Sequence, residues 1–186
     1  MSRRSLVAGV LLLLALLLLL DSLWIKAKAH LAQGLIRHAW QQSLSSGEPV
    51  KPWPWADTWP VGRLQLPSLN VDLTILHGAQ GNALAFGPGH VLASADLNSG
   101  GTTVLAGHRD THFAFMQHLK KGDELLLSNR QGKQQSYEVS ELAIVNSQQQ
   151  SLALAASSAL VLVTCYPFNS LSHGGPLRYV LTATAI

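Results

Sequence analysis

The chain has 186 residues, 47% of them hydrophobic and only 12% charged, with a formal net charge of +3. A sequence pI near 9.2 is compatible with a nucleic-acid binder, but the basic residues are scattered. The one basic pair in the C-terminal part, Lys120-Lys121, precedes a Gly122-Asp123 turn, and no basic stripe with interleaved aromatics appears. A single cysteine excludes any internal disulfide framework.

The first segment is an unbroken apolar run over residues 6–20 behind Arg3 and Arg4. Fifteen helical residues span only about 22 Å, but extension past Asp21 and Ser22 to Ile25 makes a segment long enough for a hydrocarbon core of roughly 30 Å. Trp24 and Lys26 are suited to the interface. The rival is a cleaved signal peptide, since Ala27-Lys28-Ala29 has the small-x-small form of a cleavage site. The length of the Leu-rich run favours an uncleaved anchor, and a lipoprotein signal is excluded because no cysteine follows that run. Arg3 and Arg4 face Lys26, Lys28 and Arg37 across the segment, so the charge rule is nearly balanced. The short stub favours a cytoplasmic N-terminus.

Residues 27–42 have helical composition, with Leu31, Leu35, Ile36 and Ala39 on one side, as in an amphipathic stem or a helix packed on the following domain. Pro49, Pro52, Pro54 and Pro60 make an extended linker, with Trp53, Trp55 and Trp59 expected to clamp it onto the domain. This divides the chain into a stub and anchor (1–26), a stem and linker (27–55) and a folded domain (56–186).

From Gly62 onward the reading is mostly strands. Residues 63–66 and 71–75 alternate around a Pro-Ser-Leu-Asn turn and form a hairpin. A short helix is expected over 79–86, a buried strand over 102–106, and helical turns over 113–119. Strands follow at 123–128, 134–145 (long or broken), 160–165 and 179–184. About eight short strands with few helices indicate an all-β domain closed into a barrel rather than a parallel sheet.

Cys165 ends the apolar run Leu160-Val161-Leu162-Val163-Thr164, ahead of Tyr166-Pro167-Phe168. A free cysteine is commonly a small core residue. A following proline that stops the strand argues instead for a thiol at a barrel rim. His108 follows a predicted buried strand and Gly107, while Arg178 begins the last apolar run. A thiol, an imidazole and a guanidinium near strand ends are the parts of a cysteine acyl-transfer site. His108 and His112 are spaced as in a zinc-binding helix, but no Glu follows the first His, which argues against zinc. Residues 146–159 carry no Asp or Glu, so no calcium site is expected there, and no metal or cofactor overall.

The stretch from about Trp55 to Ile186 resembles a sortase, a cysteine transpeptidase that attaches surface proteins or pilins. The matching pieces, in order, are Phe86-Gly87-Pro88-Gly89-His90, Ala106-Gly107-His108-Arg109-Asp110-Thr111 with Phe113, Leu119-Lys120-Lys121-Gly122-Asp123, Leu162-Val163-Thr164-Cys165-Tyr166-Pro167-Phe168, and Arg178. The short core and the Cys-Tyr-Pro-Phe sequence look more like the sortases of Gram-negative bacteria than the larger Gram-positive forms. The resemblance implies an eight-stranded barrel, with Cys165 as nucleophile, His108 as general acid and Arg178 stabilising the oxyanion. It further implies substrate contact for Thr164, while Tyr166, through its backbone N–H, is a second candidate oxyanion donor and His173 a candidate groove residue. Its expected partners are a secreted protein ending in an LPXTG-like signal and an amine acceptor in the cell envelope. The expected location is the inner membrane, with the catalytic domain on the extracytoplasmic side. A non-enzymatic, membrane-tethered barrel that binds peptide, with Cys165 merely buried, is the alternative. Papain-like and cell-wall amidase types put Cys before His and are removed by the order His108 then Cys165.

Overall fold

The computed structural model describes residues 3–150, 158–170 and 174–186. One helix, α1 (Arg3–Ser46), runs without interruption through both the apolar N-terminal run and the expected stem. It is long and apolar enough to cross a membrane. Its first half is exposed, whereas Ala32, Ile36, Ala39, Trp40 and Ser43 are buried. Their spacing makes a single helical stripe, and that stripe packs on the barrel. The helix closes with Gly47 at φ 75°, whose N–H donates to the Ser43 carbonyl at 2.9 Å.

Eight strands complete the domain: β1 (Pro60–Leu66), β2 (Val71–His77), β3 (Gly89–His90), β4 (Thr102–Ala106), β5 (Glu124–Asn129), β6 (Gln134–Asn146), β7 (Ala159–Cys165) and β8 (Leu177–Ala185). They close into a barrel, as expected from the sequence, with the strands in the order β1-β2-β3-β4-β7-β8-β6-β5. The helical turns are α2 (Ala83–Phe86) and two 3₁₀ turns, Pro67–Leu69 and Ala114–His118. The expected helix over 79–86 is therefore shorter, and β3 is a strand the alternation does not reveal. The long β6 carries a register shift between Val139 and Glu141, where it bends around the barrel.

Leu64, Leu66, Ile75, Leu105, Leu125, Leu127, Leu160, Leu162 and Leu181 fill the interior with Phe113, Met116 and Tyr137. Each fully buried side chain of this kind contributes roughly 2 kcal/mol. The apolar run of β7 lacks alternation because both its faces are covered. Leu160 and Leu162 point into the barrel, while Val161 joins Val104 and Val180 in a separate outer cluster. Two tryptophans clamp the linker as expected: Trp53 meets Phe86 edge-on at 5.1 Å, and Trp59 stacks on His77 at 4.0 Å. Trp55 is a correction, being 83% exposed.

Candidate active site

The topology brings three strand ends to one rim. β4 and β7 are parallel, with Ala106 level with Val163. The ladder continues one step beyond β4, since the Gly107 N–H donates to the Val163 carbonyl at 3.2 Å. Counting on in this register brings His108 level with Cys165, the last residue of β7. On the other side β8 is antiparallel, and Arg178 lies directly opposite Cys165. Cys165 is a free, partly exposed thiol, and His108 is exposed. A parallel neighbour and an antiparallel neighbour thus gather an imidazole, a thiol and a guanidinium from residues distant in sequence.

The loop 107–113 is held closely. A Cβ on Gly107 would lie 2.9 Å from the Phe113 ring, so only glycine lets that fully buried ring pack beneath the backbone. The Phe113 N–H donates to the His108 carbonyl at 2.9 Å and closes the loop. Thr164, expected to contact substrate, is buried, and its hydroxyl donates to the Gly107 carbonyl at 2.7 Å. Its observed work is to tie the strand that ends in Cys165 to the residue before His108.

Arg109 was not singled out by the sequence beyond its place in the motif. It is buried, and its Nη2 donates to the Ser170 carbonyl at 2.8 Å, joining the His108 loop to the segment after β7. Its position next to His108 was the only sequence signal. Arg178 Nη1 donates to the carbonyls of Gly175 at 2.6 Å and Leu177 at 2.9 Å. These bonds hold the guanidinium at the rim, and its planar fork has further N–H groups to offer an incoming oxygen.

The Tyr166 N–H, read from sequence as a second oxyanion donor, instead donates to the Leu177 carbonyl at 3.1 Å. It continues the β7–β8 ladder one residue past Cys165. The Tyr166 ring lies 6.2 Å from Tyr179 in near-parallel orientation, and Phe168 meets Tyr179 edge-on at 5.2 Å. These three rings make an apolar wall beside the thiol. Burial, and then the nearby Tyr166, push the Tyr179 hydroxyl above its ordinary pKa, so it is a neutral donor at physiological pH. His173 lies outside the described residues, as does much of the acid-free segment 146–159. Among the described residues no group of three His, Cys, Asp or Glu side chains is disposed to hold a metal ion.

Residues 64–186 match the family model described as the sortase domain. The chain is 35% identical over 122 residues to Sortase D of Bacillus subtilis, an alignment covering 64% of this chain and 61% of that protein. Among solved structures, sortase C-1 of Actinomyces oris is 31% identical with a TM-score of 0.59, covering 68% of this chain and 74% of that one. Two more distant structures share the fold. The Clostridium perfringens Sortase D5 transpeptidase has a TM-score of 0.65 at 19% identity, covering 84% of this chain and 99% of its own. Sortase A of Corynebacterium diphtheriae has a TM-score of 0.61 at 24% identity, covering 71% and 63%. With a closed eight-stranded barrel and a family match over residues 64–186, this chain belongs to the sortase family.

Proposed function

We propose that this protein is a membrane-anchored cysteine transpeptidase that cleaves an LPXTG-like sorting signal and transfers the protein to an amine. The observation that carries the reading is the pair of registers around β7: Arg178 pairs directly with Cys165, and the β4–β7 ladder, counted on past Ala106 and Gly107, brings His108 level with it. In this reading the Cys165 thiolate attacks the carbonyl carbon of the Thr–Gly bond. The tetrahedral intermediate collapses to a thioester as the C–N bond breaks, and His108 gives its proton to the departing amine. An acceptor amine then attacks the thioester, loses a proton to His108 and expels the Cys165 thiolate. Arg178 supplies donors to the carbonyl oxygen as it gains negative charge. The aromatic wall of Tyr166, Phe168 and Tyr179 offers apolar surface for the leucine and proline of the signal. The long helix α1 would hold the barrel at the extracytoplasmic face of the inner membrane.

The partial exposure of Cys165 favours this reading over a passive barrel with a buried cysteine. The test is a sorting-signal peptide incubated with the detergent-solubilised protein and followed by mass spectrometry. The parent should form a thioacyl adduct and, with an added amine, an amide product. Cys165→Ala should be folded and form neither, and turnover by that variant would remove the mechanism.

A further inference from the structure

Four residues beyond His108, the same loop sends a second imidazole into the flank of the molecule. His112 is half-buried and lines a cavity of about 230 Å³ together with Gln33, Arg37 and Trp40 of α1, Asp72 of β2, and Phe86 of α2. Its ring stands close to the backbone of Ala85 in α2, which raises its pKa against the stronger effect of burial. That turn is in turn held to the helix, because Gln33 Nε2 donates to the Phe86 carbonyl at 2.6 Å. Trp53 of the linker presses edge-on against Phe86 from another side, at 5.1 Å between centroids. A continuous set of contacts therefore runs from α1 through α2 and His112 to the backbone of the loop that carries His108.

The loop has two other fastenings, at its ends: Gly107 is tied to β7, and Phe113 is sunk in the core. The 108–112 stretch between them is otherwise mostly exposed, apart from Arg109. His112 is thus the side chain that fixes the loop on its α1 side, as Arg109 fixes it towards the segment after β7. Burial lowers the pKa of the ring, and His108 lowers it further, so His112 is neutral and has one N–H to give. The charged and titratable groups facing it are His108 and Asp110 on its own loop, Arg37 on α1, and Arg63 and Asp72 on the β1–β2 hairpin.

We infer that His112 is a positioning residue for His108, and that through Ala85 and Gln33 it couples the seating of helix α1 to the geometry of the proton-transfer group. This rests on the role proposed above for His108. Loss of the contact would leave the barrel and the nucleophile intact while letting the imidazole drift, and displacements on the order of 1 Å are costly to catalysis.

The experiment uses the full chain in detergent with three substitutions along this path and His108→Ala as the reference. His112→Leu keeps volume but no donor, His112→Gln keeps a donor, and Gln33→Leu cuts the α1–α2 bond. With a sorting-signal peptide and an excess of amine, His112→Leu should lower kcat on the order of tenfold at unchanged KM and melting temperature. His112→Gln should restore most of that loss. Gln33→Leu should give a smaller loss that does not add to that of His112→Leu. A second readout needs no peptide: the rate of Cys165 alkylation by iodoacetamide as a function of pH. His108→Ala should change that profile, and His112→Leu should change it in the same direction. Parental kcat in His112→Leu, failure of Gln to rescue, a lowered melting temperature accompanying the loss, or additivity with Gln33→Leu would each overturn the inference. If the parent turns over no peptide, the sorting-signal reading fails and the alkylation profiles decide alone. A His112→Leu profile identical to the parent's, or a His108→Ala profile that does not change, then overturns the coupling.

Discussion

The two segments that frame Cys165 are built on different terms. Loop 107–113 is sewn to its surroundings at several points: Gly107 to Val163 and Thr164, Arg109 to Ser170, and Phe113 into the core. The segment after β7 has Pro167 and Asn169 exposed, and its return to β8 passes through the exposed Gly174 and Gly175, both at positive φ. Its described part is tied inward by the Tyr166 N–H on the Leu177 carbonyl, the aromatic contacts of Tyr166 and Phe168, and the bond from Arg109. Such a division suits the transpeptidase chemistry proposed above. A proton-transfer group gains from a fixed position, whereas the side that receives a peptide and then an amine gains from an open, adaptable wall.

The largest effect should come from pulling out the anchor of the fixed loop. Phe113→Ala removes a fully buried ring and should cost about 3–5 kcal/mol of stability, seen as a clear fall in denaturation midpoint. A change below about 1 kcal/mol would mean that the loop is not anchored through this ring. On the open side, Arg178→Ala should lower turnover about a hundredfold, equivalent to roughly 3 kcal/mol in the barrier, with the melting temperature nearly unchanged. Arg178→Lys should recover only part, because an ammonium lacks the planar fork. If both Arg178 variants turn over peptide like the parent, the guanidinium only caps its own loop carbonyls.

Thr164→Val keeps the β-branched shape and deletes the hydroxyl that ties the two strand ends. The Gly107 carbonyl then loses a partner in a buried setting, at about 1–3 kcal/mol, and kcat should fall more than KM rises. A loss seen only in KM would return Thr164 to the role of substrate contact. The smallest effect belongs to the Arg63–Asp72 pair on the β1–β2 hairpin, at the edge of the cavity that His112 lines. Its hydrogen bond to Arg63 holds the Asp72 carboxyl below its ordinary pKa. The stability it contributes is therefore complete above about pH 4 and is lost as pH falls through the lower folded value. Both groups are largely exposed, so Asp72→Asn at neutral pH should cost less than about 1 kcal/mol and leave turnover unchanged.

Legibility differed from element to element for physical reasons. Residues 102–106 were readable as a strand to the residue, because a short β-branched run bounded by glycines has few other uses. β3 escaped notice because two residues carry no period; it exists only because Leu76–His77 and Leu105–Ala106 stand ready to pair on either side. Trp53 and Trp59 found ring partners on neighbouring elements, and Trp55, in the same linker, did not. Composition treats the three alike. The Tyr166 N–H looked free for an oxyanion because the predicted strand stopped at Cys165, whereas the ladder with β8 runs one residue further.

Sequence alone determined the apolar helical segment, the all-β character of the C-terminal domain, and the residue types of the site, since these depend on local periodicity and on motif chemistry. Only the tertiary structure decided that β4 lies parallel to β7 and β8 antiparallel to it, so that His108, Cys165 and Arg178 share one rim. It also decided that Arg109 reaches the Ser170 carbonyl and that the Thr164 hydroxyl reaches the Gly107 carbonyl. Strand order in a closed barrel is set by which apolar faces and backbone edges satisfy one another across the whole chain, and no short window of sequence contains that information.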